Sequence, residues 1–167
     1  MTLGLRRQTG LTAVVTRFRS FISSSPNMDQ VVTGLAHIGI RIHDFERSKR
    51  FYEDLGFVHQ WGPMEHDPVA GMTHPSGIEL NLIINAADAE TPNQLMDVDR
   101  KYPGYTHMAI SVSDLKKAQE LIEGLGYTLS GGPIQFTEFA SGFFVRDPDG
   151  NVVEFNYQKP AEAKDEN

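Results

Sequence analysis

The stretch 36-AHIGIRIHDF-45 decides the fold of this chain, because it returns further along as 106-THMAISVSDL-115. In both copies apolar residues alternate with polar or small ones, which is the period of a half-buried β-strand. An aspartate closes each strand, Asp44 in the first copy and Asp114 in the second, and can cap a following helix. The repeat therefore predicts two copies of one structural unit, each with a histidine at the head of its first strand.

The repeat extends well beyond this stretch. Residues 34–57 align with 104–127 without a gap at an offset of 70, and 78-IELNL-82 and 153-VEFNY-157 share a Glu-x-Asn motif at an offset of 75. A repeat of this size indicates two fused supersecondary units. The identical pairs at the first offset are Gly34/Gly104, His37/His107, Ile40/Ile110, Asp44/Asp114, Glu53/Glu123, Leu55/Leu125 and Gly56/Gly126.

The order of elements within each unit can be predicted from the pattern. After the first strand comes an amphipathic helix that ends at Gly56 in one half and at Gly126 in the other. Three extended segments follow each helix, and 147-DPDG-150 predicts a tight turn before the last one. The predicted fold is α+β, with two tandem βαβββ modules whose curved sheets form a pseudo-symmetric cleft. The extended segments are 57–61, about 68–74 and 78–84 in the first half and 127–130, 143–146 and 152–158 in the second, with 134–138 as a further candidate segment.

These elements define one domain over 33–158, with modules 33–86 and 104–158. The connection between the modules is rich in Asp, Asn and Pro and reads as a linker. Residues 159–167 are charged and weakly hydrophobic, which is typical of a disordered tail.

The first 30 residues differ from the rest in composition. They carry four arginines and several serines and threonines, with no acidic residue before Asp29. This composition is typical of an organellar transit peptide, although a merely disordered leader is the alternative. We expect the protein to be located in the mitochondrial matrix, or in the cytoplasm if the leader is not a transit peptide.

Composition excludes several classes of function. The formal net charge of −7 argues against a nucleic-acid partner, which would require a basic face. No apolar run approaches the length of a membrane span. The chain has no cysteine, so disulfides and thiolate catalysis are excluded and any metal must be held by nitrogen and oxygen ligands.

The candidate site follows from the side-chain period of the strands. Because strand residues alternate between faces, Glu79 and Asn81 share one face of their strand, and Glu154 and Asn156 repeat this arrangement. Each module thus offers one histidine and one glutamate away from its helix. A lone histidine on a strand is more often structural, but matched positions in a repeat favour a site. We expect a divalent metal at His37, Glu79, His107 and Glu154.

The remaining histidines and the large aromatic residues have simpler predictions. His43, His59, His66 and His74 have no repeat partner and are expected to be ordinary surface or loop residues. Trp61, Phe136, Phe143 and Phe144 are expected in the core, although one of them could wall a pocket.

These residues resemble the vicinal oxygen chelate superfamily, which includes glyoxalase I, bleomycin- and fosfomycin-resistance proteins, extradiol dioxygenases and methylmalonyl-CoA epimerase. The resemblance covers about residues 33–158 and lies in "HIGIRIHD", "FYEDLGF" and "FFVRDPDGNVVEF". Within the superfamily, "GIELNLI", "YTHMAISV" and "DPDGNVVEF" are most similar to the ligand strands of glyoxalase I (lactoylglutathione lyase).

The resemblance implies His37, Glu79, His107 and Glu154 as ligands of one divalent ion, Ni²⁺, Co²⁺ or Zn²⁺, with Mn²⁺ or Fe²⁺ as alternatives. Arg41 matches the arginine that binds the glutathione carboxylate. A homodimer is also implied. The chain departs from the glyoxalase I pattern in lacking the expected lysine before its last hairpin, and at two positions where an asparagine and an arginine are expected, Ile83 and Pro103.

The activity implied by the resemblance is that of a metal-dependent lyase. It would isomerise the hemithioacetal of glutathione and methylglyoxal to S-lactoylglutathione through an enediolate. Glu154 is the expected base, with Glu79 serving a similar role on the opposite face. The alternatives are another acid–base enzyme of the superfamily, such as methylmalonyl-CoA epimerase, and a non-catalytic protein that binds a small molecule.

Overall fold

The computed structural model describes Asp29 and residues 31–87 and 91–160. By its internal contacts the chain divides into two units, Met1–Leu35 and Ala36–Asn167. Every α-helix and β-strand of the described residues belongs to the second unit. The predicted leader, apart from Asp29, and residues 161–167 of the predicted tail lie outside the described residues. No helix in the described ranges has the length and apolar character needed to cross a membrane.

The second unit contains two βαβββ modules, which confirms the predicted α+β fold. Each module has one four-stranded sheet, ordered β1-β4-β3-β2 in the first and β5-β8-β7-β6 in the second. The first and last strands of each module run parallel and the other neighbours run antiparallel, so both sheets are mixed. The elements are β1 Ile38–Ile42, α1 Phe45–Asp54, β2 Val58–Trp61, β3 Val69–Thr73, β4 Glu79–Ile84, β5 His107–Ser111, α2 Leu115–Gly124, β6 Leu129–Gln135, β7 Ala140–Arg146 and β8 Val152–Gln158.

Both helices begin and end as the repeat predicts. The Asp44 carboxylate accepts a hydrogen bond of 2.7 Å from the Arg47 backbone N–H, and Asp114 accepts one of 2.9 Å from that of Lys117. Each bond satisfies a donor that the helix itself leaves unpaired. Just after each helix the backbone is left-handed, with φ of +91° at Gly56 and +88° at Gly126. Glycine adopts this conformation at little steric cost.

The apolar core lies between each sheet and its helix. Helix α1 buries Phe51 and Tyr52, while α2 fully buries only Ile122. Because side chains alternate along the strands, the residues that face the helices leave the opposite face of each sheet for polar groups. Fully buried apolar strand residues include Ile42, Ala70, Met72, Leu80, Leu82, Phe143, Val145 and Val153.

The strands of the second module differ from the prediction in one place. A single strand, β6, replaces the two segments expected at 127–130 and 134–138. Glycine and proline at 131–133 indicate a break in the sequence, but the strand continues through them with two shifts of register against β7. Bulges of this kind accommodate residues that regular strands exclude.

The two modules also differ in the register of their parallel strands. Gly39 lies level with Asn81, whereas the repeat-equivalent Ala109 lies level with Glu154. The last strand of the second module is therefore displaced by two residues relative to its first strand. A displacement of two keeps every side chain on its original face, since the period of a strand is two. It moves Glu154 away from the end of the sheet.

A polar network fastens α1 to the turn between β7 and β8. The Asp149 side chain, 3% exposed, contacts His43 Nδ1 at 2.6 Å, accepts a hydrogen bond from Ser48 Oγ at 3.0 Å and pairs with Arg47. His43 lies in the loop between β1 and α1, as expected, but its contact with Asp149 means that it is not an ordinary loop residue. It belongs to a contact between modules, which pairs residues about 100 positions apart and leaves no local trace in the sequence.

A second carboxylate of the same turn, Asp147, lies beside Tyr52. The Tyr52 hydroxyl donates to Asp147 Oδ2 at 2.9 Å, and both side chains are buried. Burial raises the pKa of Asp147, although its hydrogen bonds with Asn151 oppose the shift. Burial and the adjacent carboxylate raise the pKa of Tyr52 well above its usual value. The hydroxyl therefore stays a donor at neutral pH.

Candidate active site

The structure brings His107 and Glu154 together on neighbouring strands of the second module. His107 Nε2 lies 2.9 Å from Glu154 Oε2. The other carboxylate oxygen of Glu154 accepts a bond of 2.6 Å from Asn156 Nδ2. His107 Nδ1 lies 2.9 Å from Thr106 Oγ1, so both nitrogens of the ring are occupied. Glu154 is only 6% exposed, which is unusual for a carboxylate and requires the polar partners that it has.

Aromatic side chains line the same face beside this pair. Phe144 on β7 lies level with Glu154, and its ring meets the His107 ring edge-on with centroids 5.8 Å apart. Phe136 packs against Phe144 and covers Gly142, where a Cβ would meet its ring at 2.8 Å. Phe136 is 41% exposed. Of the phenylalanines expected in the core, Phe143 is buried there, while Phe136 and Phe144 instead wall the site.

The first module holds the counterpart pair in a more open setting. Glu79 is the first residue of β4, and His37 immediately precedes β1; both are exposed. No side-chain hydrogen bond or ion pair joins His37 or Glu79 to any residue that the structure describes. Trp61 covers Gly71 as Phe136 covers Gly142, and it is 43% exposed. The expectation of a core position for Trp61 is therefore wrong, because the glycine beneath the indole places it on the polar face of the sheet.

Arg41 lies on the same face of β1 as His37. Its Nε donates to Asn85 Oδ1 at 2.9 Å, just beyond the end of β4. The Arg41 carbonyl accepts a bond of 3.2 Å from Asn151 Nδ2 in the second module. The guanidinium remains exposed and keeps N–H groups for an anionic ligand.

A single copy of the chain does not bring all four predicted ligands together. Across residues 31–87 and 91–160, no three His, Cys, Asp or Glu side chains are close enough to hold a metal ion. What the second module provides is one imidazole and one carboxylate in contact. The assignment of His37, Glu79, His107 and Glu154 as ligands stays a prediction.

A family model agrees with this architecture. Residues 34–155 match the family model described as the glyoxalase/bleomycin resistance protein/dioxygenase superfamily. The chain belongs to this superfamily. Among curated proteins, no sequence matches it.

Solved structures of low sequence identity share the superfamily fold. A glyoxalase/dioxygenase from Nostoc punctiforme has a TM-score of 0.65 at 21% identity, covering 82% of this chain and 99% of its own. A glyoxalase/bleomycin resistance protein/dioxygenase domain from Frankia has a TM-score of 0.61 at 20% identity, covering 78% and 96%. A genomically encoded fosfomycin resistance protein from Listeria monocytogenes has a TM-score of 0.58 at 14% identity, covering 77% and 95%. At these identities the likeness shows the fold alone.

Two residues of the candidate site were not assigned a role from the sequence. Asn156 was visible as part of the repeated Glu-x-Asn motif, and the strand period places it on the same face as Glu154. Nothing in the motif indicates that its amide contacts the carboxylate. The contact of Asn85 with Arg41 could not be predicted, since it depends on how the end of β4 lies beside β1.

Proposed function

We propose that this chain is a metal-dependent lyase of the glyoxalase I type. It would isomerise the hemithioacetal of glutathione and methylglyoxal to S-lactoylglutathione. The observation that carries this proposal is the contact between His107 and the buried carboxylate of Glu154, on a sheet face that also exposes an aromatic wall. A buried carboxyl group beside an imidazole can transfer protons or bind a metal ion.

The donor set fits a divalent metal. His107 and Glu154 supply one nitrogen and one oxygen within reach of each other, and among the residues that the structure describes no lysine or arginine bonds to Glu154. Imidazole and carboxylate together suit Ni²⁺, Co²⁺ or Zn²⁺, and less specifically Mn²⁺ or Fe²⁺. His37 and Glu79 would add a second pair of the same chemistry. Two carboxylates would neutralise the charge of the ion.

A homodimer would complete this set, since one copy keeps its two pairs apart. In the described residues β1 and β5 are each paired on one side only, so each leaves an open edge beside its half-site. Large apolar residues stand at matched positions two before each histidine: Leu35 is 79% exposed and Tyr105 is 99% exposed. We propose that the first module of one copy meets the second module of its partner, with two equivalent sites per dimer.

In the proposed reaction the metal would act as a Lewis acid on the substrate oxygens. Two protons change place in this isomerisation. A carboxylate removes the first from the hemithioacetal carbon, whose electron pair forms the enediolate C=C bond while the carbonyl oxygen takes up the charge, and it returns this proton to the neighbouring carbon. The hydroxyl proton passes to the former carbonyl oxygen as the thioester carbonyl forms, so no other reagent is consumed. Glu154 and Glu79 are the candidate bases, because they are the two carboxylates on the polar faces of the last strands. The Phe136–Phe144 wall would exclude water from the reacting carbons.

Arg41 is the candidate substrate-binding residue. Its guanidinium is exposed on the His37 face and is held by Asn85 through Nε. The remaining N–H groups are free to bind a carboxylate of glutathione. The leader composition supports a mitochondrial location, where the enzyme would detoxify methylglyoxal.

Metal content and turnover measured on one sample test the proposal. We expect the purified protein to contain about one divalent ion per chain and to convert the hemithioacetal. Dialysis against a chelator should abolish turnover, and adding back Ni²⁺ or Co²⁺ should restore it. Full activity of the metal-free protein would refute the metal-dependent mechanism. Activity only on an epimerisable acyl-CoA would assign a different substrate to the same site.

A further inference from the structure

Asn156 is the residue that controls how Glu154 presents its carboxylate. We infer that Asn156 is a positioning residue: it binds one oxygen of Glu154 and leaves only the other oxygen for a metal or substrate. This inference rests on the proposed function, in which Glu154 is a ligand and a base. The inference implies that Glu154 and Glu79 present their carboxylates differently, although both lie in the same Glu-x-Asn motif.

The geometry divides the two carboxylate oxygens between different partners. Oε1 accepts from Asn156 Nδ2 at 2.6 Å, and Oε2 lies 2.9 Å from His107 Nε2. Rotation of the carboxylate about its terminal bond would break both contacts at once. Since a hydrogen bond to a charged acceptor is stronger than one between neutral groups, the amide holds Oε1 in place.

The orientation of the Asn156 amide follows from the charge of Glu154. A carboxylate only accepts hydrogen bonds, so the nitrogen of the amide must face it. The amide oxygen of Asn156 then points elsewhere, and it is buried with no hydrogen-bond partner among the described residues. A buried acceptor without a donor destabilises the fold. Asparagine at this position is therefore explained by what its nitrogen does and not by the stability of the chain.

Asn81 occupies the corresponding position in the first module and provides the contrast. It follows Glu79 by two residues, as Asn156 follows Glu154, and both asparagines lie level with a glycine, Gly71 or Gly142. The Asn81 side chain makes no hydrogen bond with Glu79 within the described part of the chain. Glu79 can therefore offer both oxygens, whereas Glu154 offers Oε2 alone.

The variants Asn156→Leu and Asn81→Leu form a matched pair for testing this role. Leucine keeps the branched shape of asparagine without its polar atoms, and its larger side chain must fit beside the aromatic rings that cover Gly142 and Gly71. Each variant is first crystallised without metal. We expect Glu154 to turn away from His107 in Asn156→Leu and to keep its position in Asn81→Leu. Asn156→Ala serves as a second variant if the leucine is not accommodated.

The same variants are then titrated with Co²⁺, whose visible absorption reports the ligands around the ion. Removing a residue that orients a metal ligand typically costs about 10–100-fold in affinity. We expect a loss of at least about tenfold, with a changed spectrum, for Asn156→Leu. The Co²⁺ affinity of Asn81→Leu should stay within about twofold of the parent.

The outcomes separate this inference from the function on which it rests. If the parent protein binds no Co²⁺, the proposed metal enzyme is refuted, and the crystal structures still decide whether Asn156 orients Glu154. An unmoved Glu154 in Asn156→Leu overturns the positioning role, whatever the metal affinity is. Equal losses of affinity in the two leucine variants also overturn it, because the two asparagines would then be equivalent.

Discussion

The last strands of the two modules carry the same Glu-x-Asn motif in different surroundings. Glu154 is buried within β8, with Phe144 on one side and Ala109 on the other. Glu79 begins β4, lies level with Thr73 and is exposed. Two features accompany this difference: the displacement of β8 by two residues relative to β5, and a phenylalanine in place of Thr73 beside the carboxylate. A motif repeated in the sequence therefore does not guarantee a repeated environment, and the two carboxylates should respond differently to the same substitution.

The largest expected effects come from replacing each glutamate with glutamine. We expect Glu154→Gln to lower kcat for the hemithioacetal by about 10²–10⁴-fold, because a general base is removed. The metal-free Glu154→Gln protein should be more stable than the parent by on the order of 1 kcal/mol, since a buried charge becomes neutral. Kinetics and urea unfolding of the same preparation measure both quantities.

Glu79→Gln is the matched control for the stability effect. Glu79 is exposed, so its replacement should leave the unfolding free energy of the metal-free protein unchanged while still weakening metal binding. A gain in stability for Glu79→Gln equal to that of Glu154→Gln would contradict the contrast between the modules.

A smaller effect, on the unfolding free energy at alkaline pH, is expected from the hydrogen bond between Tyr52 of α1 and Asp147 of the second module. The pKa of Tyr52 is raised in the folded protein, so its stabilising effect is complete below about pH 10 and is lost as pH rises through the folded pKa. Above about pH 10 the unfolding free energy should fall by up to about 1.4 kcal/mol per pH unit from this group. Tyr52→Phe should be less stable at neutral pH and should lack this part of the decline.

Tyr127→Phe is the comparison for the alkaline experiment. Tyr127 donates to Asp54, and burial and this bond raise its pKa to about 12, but the side chain is partly exposed. Its removal should therefore change the alkaline decline less than Tyr52→Phe does. If the unfolding free energies of Tyr52→Phe and the parent changed in parallel from about pH 9 to 12, the contact between Tyr52 and Asp147 would not contribute to the alkaline loss of stability.

The smallest effects are expected where the modules are alike. Asp44→Ala and Asp114→Ala each remove one helix cap of the same geometry, so each should cost about 1 kcal/mol of unfolding free energy. Chemical denaturation of the two variants measures this directly. A difference of more than about 1 kcal/mol between them would show that the modules differ in their helices as well as in their sheets.

The architecture could be predicted because it depends on local patterns. Each pattern acts within a few residues: apolar and polar residues alternate along strands, aspartates cap the helices, and glycines follow them. Because of the repeat, each pattern occurs twice in the sequence. The prediction failed at 131–133, where a strand with bulges crosses residues that usually break strands.

The site was predicted less completely than the fold. The period of two indicated the face of Glu154 and the strand of His107, and the structure brings these residues into contact. The period of two could not indicate the register between β5 and β8, which sets the neighbours of Glu154. The role of His43 was missed for a related reason, because its partner Asp149 lies in the other module and their contact depends on packing.

The central claim is that one metal site is assembled from the first module of one copy and the second module of another. It is tested by a heterodimer purified from cells that express His37→Ala and His107→Ala chains with different tags. Each variant alone should be inactive. In the heterodimer one of two sites is intact, so about half of the parent turnover per dimer should return. A heterodimer as inactive as its parents would contradict the claim, because sites built within single chains would all carry a defect.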